Sequence, residues 1–463
     1  MIHAMGWRWW GVILVLLLLA PFMASSRSII KNLPGFSGDL PFKLESGYIG
    51  VGEEEEVQLF YLFVESQRNP LKDPILLWFV GGPGCSALSA FFLENGPVTI
   101  DRNSRGILPK LLLNPYAWTQ VLNVIYIDLP VGTGFSYSQT QQGYHSSDIL
   151  WIENAYDFLQ KWFIDYPEFV SNILYVGGGS YSAMPTVPLV KNVYEGCKAG
   201  SKPFINFKGF VLASPVTDTF LDSNSKVEYA HCLSLISDEL YESIKASCNG
   251  NYVNINPYNK KCVIDYEAYS QLIQYINELQ ILEPLCDIIP NDNRRILFED
   301  SSDGIVQNDS TFWCPRGYDV MLVEQWANNQ DVRKALQIRE GTKGEFLRCN
   351  RSLSYKYDLK SVVDYHRNLT ETNLQFLVYS ADLDLVIPYI GTQAWIKSLN
   401  LKIKDPWRAW FVDGQVAGYT QIYKKHNYFL TYVAVKGAGH VAHEYKPKEV
   451  FQMIERWFSY API

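Results

Sequence analysis

The stretch Leu174-Tyr175-Val176-Gly177-Gly178-Gly179-Ser180-Tyr181-Ser182-Ala183 passes from an apolar strand through three glycines to a serine and then to small residues that open a helix. A sharp strand-to-helix turn has little room around its central side chain, so small neighbours are needed, and the turn lifts that side chain to the edge of the sheet. Ser180 therefore reads as a nucleophile on an elbow, although Ser182 stands where a final glycine would complete the strict G-x-S-x-G pattern. A glycine-rich turn that holds a serine is, taken alone, only a turn. Its partners decide the reading.

A hydroxyl is a poor nucleophile until a base takes its proton, and that base needs a carboxylate to hold its tautomer and stabilise the imidazolium. The chain has seven histidines. His440 closes the run Lys436-Gly437-Ala438-Gly439-His440 directly after a strand, where a glycine loop can carry an imidazole over the elbow. Asp384 sits in Ala381-Asp382-Leu383-Asp384, just past another strand. The chain order Ser180, Asp384, His440 is that of α/β-hydrolases. Backbone donors for an oxyanion are expected from Tyr181, the residue after the serine, and from Gly82 in Gly81-Gly82-Pro83-Gly84-Cys85-Ser86. No Gly-Lys-Ser/Thr follows that glycine loop, which excludes a P-loop.

The surrounding pattern fits this fold. Runs rich in β-branched and aromatic residues at 57–64, 75–80, 124–128, 173–176, 207–212, 375–380 and 431–435 read as strands, and most are continuously apolar, as in a sheet covered on both faces. A helix is expected over 149–163, with Ile152, Ala155, Phe158, Leu159 and Trp162 on one face and Ser146 or Ser147 as its cap. Strand, helix and strand in succession imply a doubly wound, mostly parallel α/β sheet. Residues 217–316 turn polar and rich in tyrosine and asparagine and carry five of the eight cysteines. They read as an insertion or cap that divides the core into 27–216 and 317–463.

At the amino terminus Arg8 precedes an apolar run at 12–20 and then Ala24, Ser25 and Ser26, the outline of a secretory signal over 1–26. The run is shorter than the roughly 20 residues of a membrane span, so no membrane association is expected once the signal is removed. A formal net charge of -8 argues against a nucleic-acid partner. The cysteines, at 85, 197, 232, 248, 262, 286, 314 and 349, include no CxxC pair. Disulfides in an exported chain are therefore a simpler reading than a metal site, and no cofactor is indicated. Sequons at Asn308, Asn350 and Asn368 fit the same route.

Five blocks taken together resemble the serine carboxypeptidase family over the length of the chain. They are 81–86, Pro130-Val131-Gly132-Thr133-Gly134-Phe135-Ser136-Tyr137, Ser180-Tyr181-Ser182, Gly391-Thr392-Gln393-Ala394-Trp395 and 437–440. Val332-Arg333-Lys334-Ala335-Leu336 and the stretch 413–420 are similar to its plant carboxypeptidase-like members. The resemblance implies disulfides Cys85–Cys349, Cys248–Cys262 and Cys286–Cys314, leaving Cys197 and Cys232 unassigned. It also implies that a peptide's terminal carboxylate is held by an Asn before Gly-Gly-Pro-Gly and an acidic residue before the serine. Here those positions are Val80 and Gly179, and neither side chain can make a hydrogen bond. Ser-Tyr-Ser is similar to the branch that transfers acyl groups from glucose esters of aromatic acids to alcohols, although that branch too usually has an acidic residue where Gly179 stands. Ala183, Ala381 and the Val441-Ala442-His443 that follows His440 are further departures. Three readings result: an acyltransferase, a carboxypeptidase with altered carboxylate recognition, and a silent binding protein with the same fold.

Overall fold

The computed structural model describes residues 27–104, 106–285 and 315–463. The signal over 1–26, Cys286, Asn308 and Cys314 lie outside the described residues. The main sheet has twelve strands. Eleven lie along one path: β1 (Arg27–Ile30), β2 (Leu44–Val51), β3 (Val57–Val64), β4 (Ile75–Phe79), β5 (Asn123–Ile127), β6 (Ile173–Gly179), β7 (Asn206–Ala213), β8 (Gln375–Ala381), β9 (Lys402–Val412), β10 (Gln415–Lys425) and β11 (Tyr428–Val435). Their spatial order is β1-β2-β3-β5-β4-β6-β7-β8-β11-β10-β9, and a short strand, Tyr137–Ser138, pairs with β3. The six central strands, β5 to β11 along this order, run parallel, and antiparallel pairs flank them on both sides.

The continuous apolar runs form the parallel centre because each strand there buries both faces. In β4, Leu76 and Trp78 point into one core, while Ile75, Leu77 and Phe79 point into the other. The second core is covered by α1 (Asp148–Asp165) and α2 (Ala183–Ala199). Ser147 caps α1 by accepting from Leu150 N–H at 3.3 Å. Helices α3 (Thr219–Cys232), α4 (Asp238–Cys248) and α5 (Lys260–Ile273) build a third, smaller core, and Cys248 is disulfide-bonded to Cys262 across α4 and α5. Leu385, from the loop after β8, packs into that small core. Helix α6 (Pro315–Asn328) and α9 (Pro447–Phe458) close the first face, and α7 (Val363–Leu369) and α8 (Tyr389–Ser398) complete the second.

Asp222, in α3, is a pH-sensitive point of this scaffold. Its Oδ2 accepts from the backbone N–H groups of Thr217 at 2.8 Å and Asp218 at 3.1 Å, while its Oδ1 is buried without a partner. Burial pushes this carboxyl up to about 7. A carboxyl whose folded value is raised binds its proton more tightly in the native state. Its stabilising contribution is therefore complete below the ordinary carboxylate range and is lost as pH rises through about 7. Asp222→Asn keeps an oxygen acceptor and removes the ionisation. Thermal denaturation between about pH 4 and 7 is expected to show a shallower fall of Tm with rising pH in this variant than in the wild type; equal slopes would contradict the assignment.

Candidate active site

Ser180 lies at the carboxyl end of β6, where β6 hands over to a single 3-10 turn, Ser180–Ser182, and then α2. Its φ is +58°, in the left-handed region that a side chain rarely occupies. Ser182 steadies the turn: its Oγ donates to Gly179 O at 2.8 Å and also contacts Phe79 O at 3.1 Å. This serine in place of glycine therefore ties the elbow to the neighbouring strand. Gly178 makes room for it, since a Cβ there would lie 2.4 Å from Ser182 Oγ.

Asp384 follows β8 and His440 follows β11, which pair in parallel, so both loops emerge at the same end of the sheet as the elbow. The structure brings the three side chains into one hydrogen-bonded chain. His440 Nε2 is 2.8 Å from Ser180 Oγ, and His440 Nδ1 is 2.7 Å from Asp384 Oδ2. Asp384 is fully buried, and its other oxygen accepts from Ile387 N–H at 2.9 Å. The two loops are also joined directly. Asp382 Oδ1 accepts from Gly437 N–H at 2.7 Å, and Leu383 N–H donates to Ala438 O at 2.9 Å.

The glycine loop after β4 faces the elbow. A Cβ on Gly81 would lie 2.7 Å from Ser180 Cβ and 3.1 Å from Tyr181 N, so the backbone of this loop approaches the serine as closely as atoms allow. The loop is anchored by the Cys85–Cys349 disulfide and by Ser86 N–H donating to Arg348 O at 2.7 Å. Asp128 holds it from below, accepting from Ser86 Oγ and Ala87 N–H through one oxygen and from Phe135 N–H through the other. Burial pushes this carboxyl up to about 6 against the pull of those three bonds. Tyr181 donates to Asp148 at 2.6 Å, as does Tyr355 at 2.7 Å. Burial and the Asp148 carboxylate both push the Tyr181 phenol upward, so it stays a donor.

Val80 stands half-buried at the start of the glycine loop, and Gly179 is buried beside Val441 and Ala213. Gly179 has extended backbone, φ -118° and ψ 153°, and a Cβ there would make only ordinary contacts at 3.5 Å and beyond. A Cβ therefore fits at 179 without displacing its neighbours. Asn368 is exposed, whereas Asn350 is half-buried with its Nδ2 donating to Gly132 O at 3.0 Å. Cys197 and Cys232 are free thiols. Among the described residues no cluster of three or more His, Cys, Asp or Glu side chains is placed to hold a metal, and no helix is long and apolar enough to cross a membrane.

Several supporting residues went unrecognised in the sequence. Asp128 ends an apolar strand just before the block 130–137, and nothing in the sequence marks its carboxylate as the support of the glycine loop. Behind the His440 loop, the buried His443 joins Tyr379, at 2.8 Å, to Glu94, at 2.9 Å. In the sequence His443 stands out only as a departure after His440, with nothing there that points to Tyr379 or Glu94 as its partners.

A sheet with a parallel centre and a serine elbow at its carboxyl edge, and with histidine and aspartate supplied by later loops, defines an α/β-hydrolase of the serine type. Residues 34–460 match the serine carboxypeptidase family, and the chain belongs to that family. It is 43% identical to serine carboxypeptidase-like 13 of Arabidopsis thaliana over 454 residues, covering 98% of each chain. It is 44% identical to serine carboxypeptidase-like 10 of the same plant, covering 97% of this chain and 98% of that one. Among solved structures it resembles Kex1, a prohormone-processing carboxypeptidase of Saccharomyces cerevisiae, with a TM-score of 0.72 and 18% identity over 93% of this chain and 95% of that one.

The contact at Gly81 supplies a test. Gly81→Ala places a methyl where Ser180 Cβ, Gly179 O and Tyr181 N already stand. The rate of fluorophosphonate labelling is expected to fall on the order of 10²-fold, because small displacements of reacting groups cost that much. Labelling at the wild-type rate in a folded variant would show that the glycine loop does not bear on the serine.

Proposed function

We propose that this protein is an exported acyltransferase that takes an aromatic acyl group from a glucose ester and passes it to an alcohol. In this reading Ser180 Oγ attacks the ester carbonyl while its proton passes to His440 Nε2. Asp384 holds the Nδ1 proton and stabilises the imidazolium. The oxyanion is received by the backbone N–H groups of Gly82 and Tyr181. Collapse breaks the ester bond, and His440 returns the proton to the departing glucose oxygen, leaving the acyl group on Ser180. The acceptor alcohol then gives its proton to His440 and attacks the acyl carbonyl, and collapse breaks the bond to Ser180 as His440 returns that proton to Ser180 Oγ, releasing the product ester.

The observation that carries the choice of substrate is the lack of polar side chains at Val80 and Gly179. A peptide's terminal carboxylate placed there would lose bonds worth about 1–3 kcal/mol each, whereas an ester without a free carboxylate loses nothing. A serine carboxypeptidase releasing C-terminal residues is the second reading, favoured by the family as a whole. Cys85–Cys349 and Cys248–Cys262 suit passage through an oxidising compartment, which supports export to the vacuole or the cell exterior. The exposed Asn368 is the better placed of the two described glycosylation candidates.

Purified protein offered acyl-glucoses with alcohol acceptors, and separately blocked dipeptides, distinguishes the two readings. Transfer from the glucose ester is expected, with dipeptides poor substrates. A specificity constant for dipeptides equal to that for the best ester would replace the acyltransferase reading with a carboxypeptidase. Ser180→Ala is expected to abolish fluorophosphonate labelling with the fold retained; labelling of this variant at the wild-type rate would remove Ser180 from its role. Val80→Asn combined with Gly179→Glu restores polar groups at both positions. It is expected to raise dipeptide cleavage relative to ester cleavage by about tenfold or more, the equivalent of about 1.4 kcal/mol. An unchanged ratio would refute the role given to these positions.

A further inference from the structure

Asp384 and His440 sit on separate loops, and a third segment bonds to the backbone of both. The turn at 277–281, which follows α5, crosses both loops. Glu278 O accepts from Leu385 N–H at 2.9 Å and Val386 N–H at 3.2 Å, immediately beyond Asp384. Leu279 O accepts from the N–H of His440 itself at 2.6 Å, and Ile281 N–H donates to Leu383 O at 3.3 Å. Helix α3 reinforces the arrangement: Tyr229 Oη donates to Asp382 O at 2.7 Å, and Lys226 pairs with Glu278 at 2.7 Å.

Gly439 is what lets the turn approach. A Cβ there would lie 2.3 Å from Leu279 O and within 2.7 Å of Gln280 Cβ and Cγ. Gly439 is not in the left-handed region, so the requirement is for space, not for backbone freedom. From the opposite side Arg316 Nη1 donates to His440 O at 3.2 Å, so both backbone polar groups of His440 are held by residues from outside its own loop.

We propose that the 277–281 turn is a clasp that sets Asp384 and His440 in register, with Gly439 as a positioning residue that admits it. The proposal rests on the reading of Ser180, His440 and Asp384 as the catalytic chain. It makes the stretch after β7 more than a cover, since the turn controls the alignment of two reacting side chains without touching substrate. The clasp is made of backbone groups, so its failure lowers turnover and leaves substrate affinity nearly unchanged.

The test measures kcat per active site, with sites counted by fluorophosphonate labelling, and the far-downfield proton resonance of the His440–Asp384 hydrogen bond. Gly439→Ala is expected to lower kcat per labelled site about 10- to 100-fold, to change KM little, and to shift or broaden that resonance. Asn277→Ala is the gentler variant. Asn277 Oδ1 accepts from Leu279 N–H at 3.1 Å and its Nδ2 donates to Pro284 O at 3.2 Å, so its loss slackens the turn without inserting an atom. A smaller loss of kcat per site in the same direction is expected. A merely structural role would lower Tm and the labelled fraction while leaving kcat per site and the resonance at wild-type values, and that result in either folded variant overturns the clasp. Ser180→Ala separates the two claims: persistent labelling there refutes the catalytic reading, while the downfield resonance still reports whether Gly439 and Asn277 hold the His440–Asp384 pair.

Discussion

Ser180 is held at φ +58°, and a non-glycine residue in that region costs roughly 1–2 kcal/mol that the surroundings must supply. Much of the site can be understood as the means of holding this conformation. β6 is paired on both sides, to β4 and β7, as far as Gly178 and Gly179, so the chain enters the turn from a fixed direction. Ser182 fastens the exit to β4. Gly81 and Gly178 are bare because the strained turn fills the space their side chains would occupy. The glycine loop that faces the serine is in turn fixed by a disulfide and by the buried Asp128.

The centre of the sheet was legible because burial on both faces removes alternation and leaves short apolar runs. The expected run 57–64 matches β3, and the other strands differ by up to three residues at an end: by three at the end of β6, where three glycines carry no strand signature yet continue the pairing, and by three at the start of β11. The antiparallel edges were missed for a different reason. β2 is interrupted by Gly47 and Gly50, and β9 contains Pro406 among charged residues, at a point where its register with β10 shifts. Proline and charge are tolerated there because an edge strand leaves one row of N–H groups unpaired.

The three chemical side chains were legible for another reason. Serine, aspartate and histidine each have a residue type that narrows the search and a strand end that locates them. The clasp has no such signature, since its bonds come from the main chain of Glu278 and Leu279, whose side chains say nothing about them. Gly439 is its one trace, and in the sequence the glycines before His440 indicate only a loop able to carry the imidazole over the elbow. The structure instead finds Gly439 packed against another segment. Asp128 was hidden in the same way, as a polar terminus to an apolar run.

The account turns on Ser180 carrying the acyl group during turnover, and acid-quenched mass spectrometry during reaction with an acyl-glucose tests this most directly. The tryptic peptide containing Ser180 is predicted to gain the mass of the acyl group without glucose, and to lose it on the time scale of turnover when an alcohol acceptor is added. Product formation with no adduct on this peptide, or with the adduct on another residue, would contradict the mechanism.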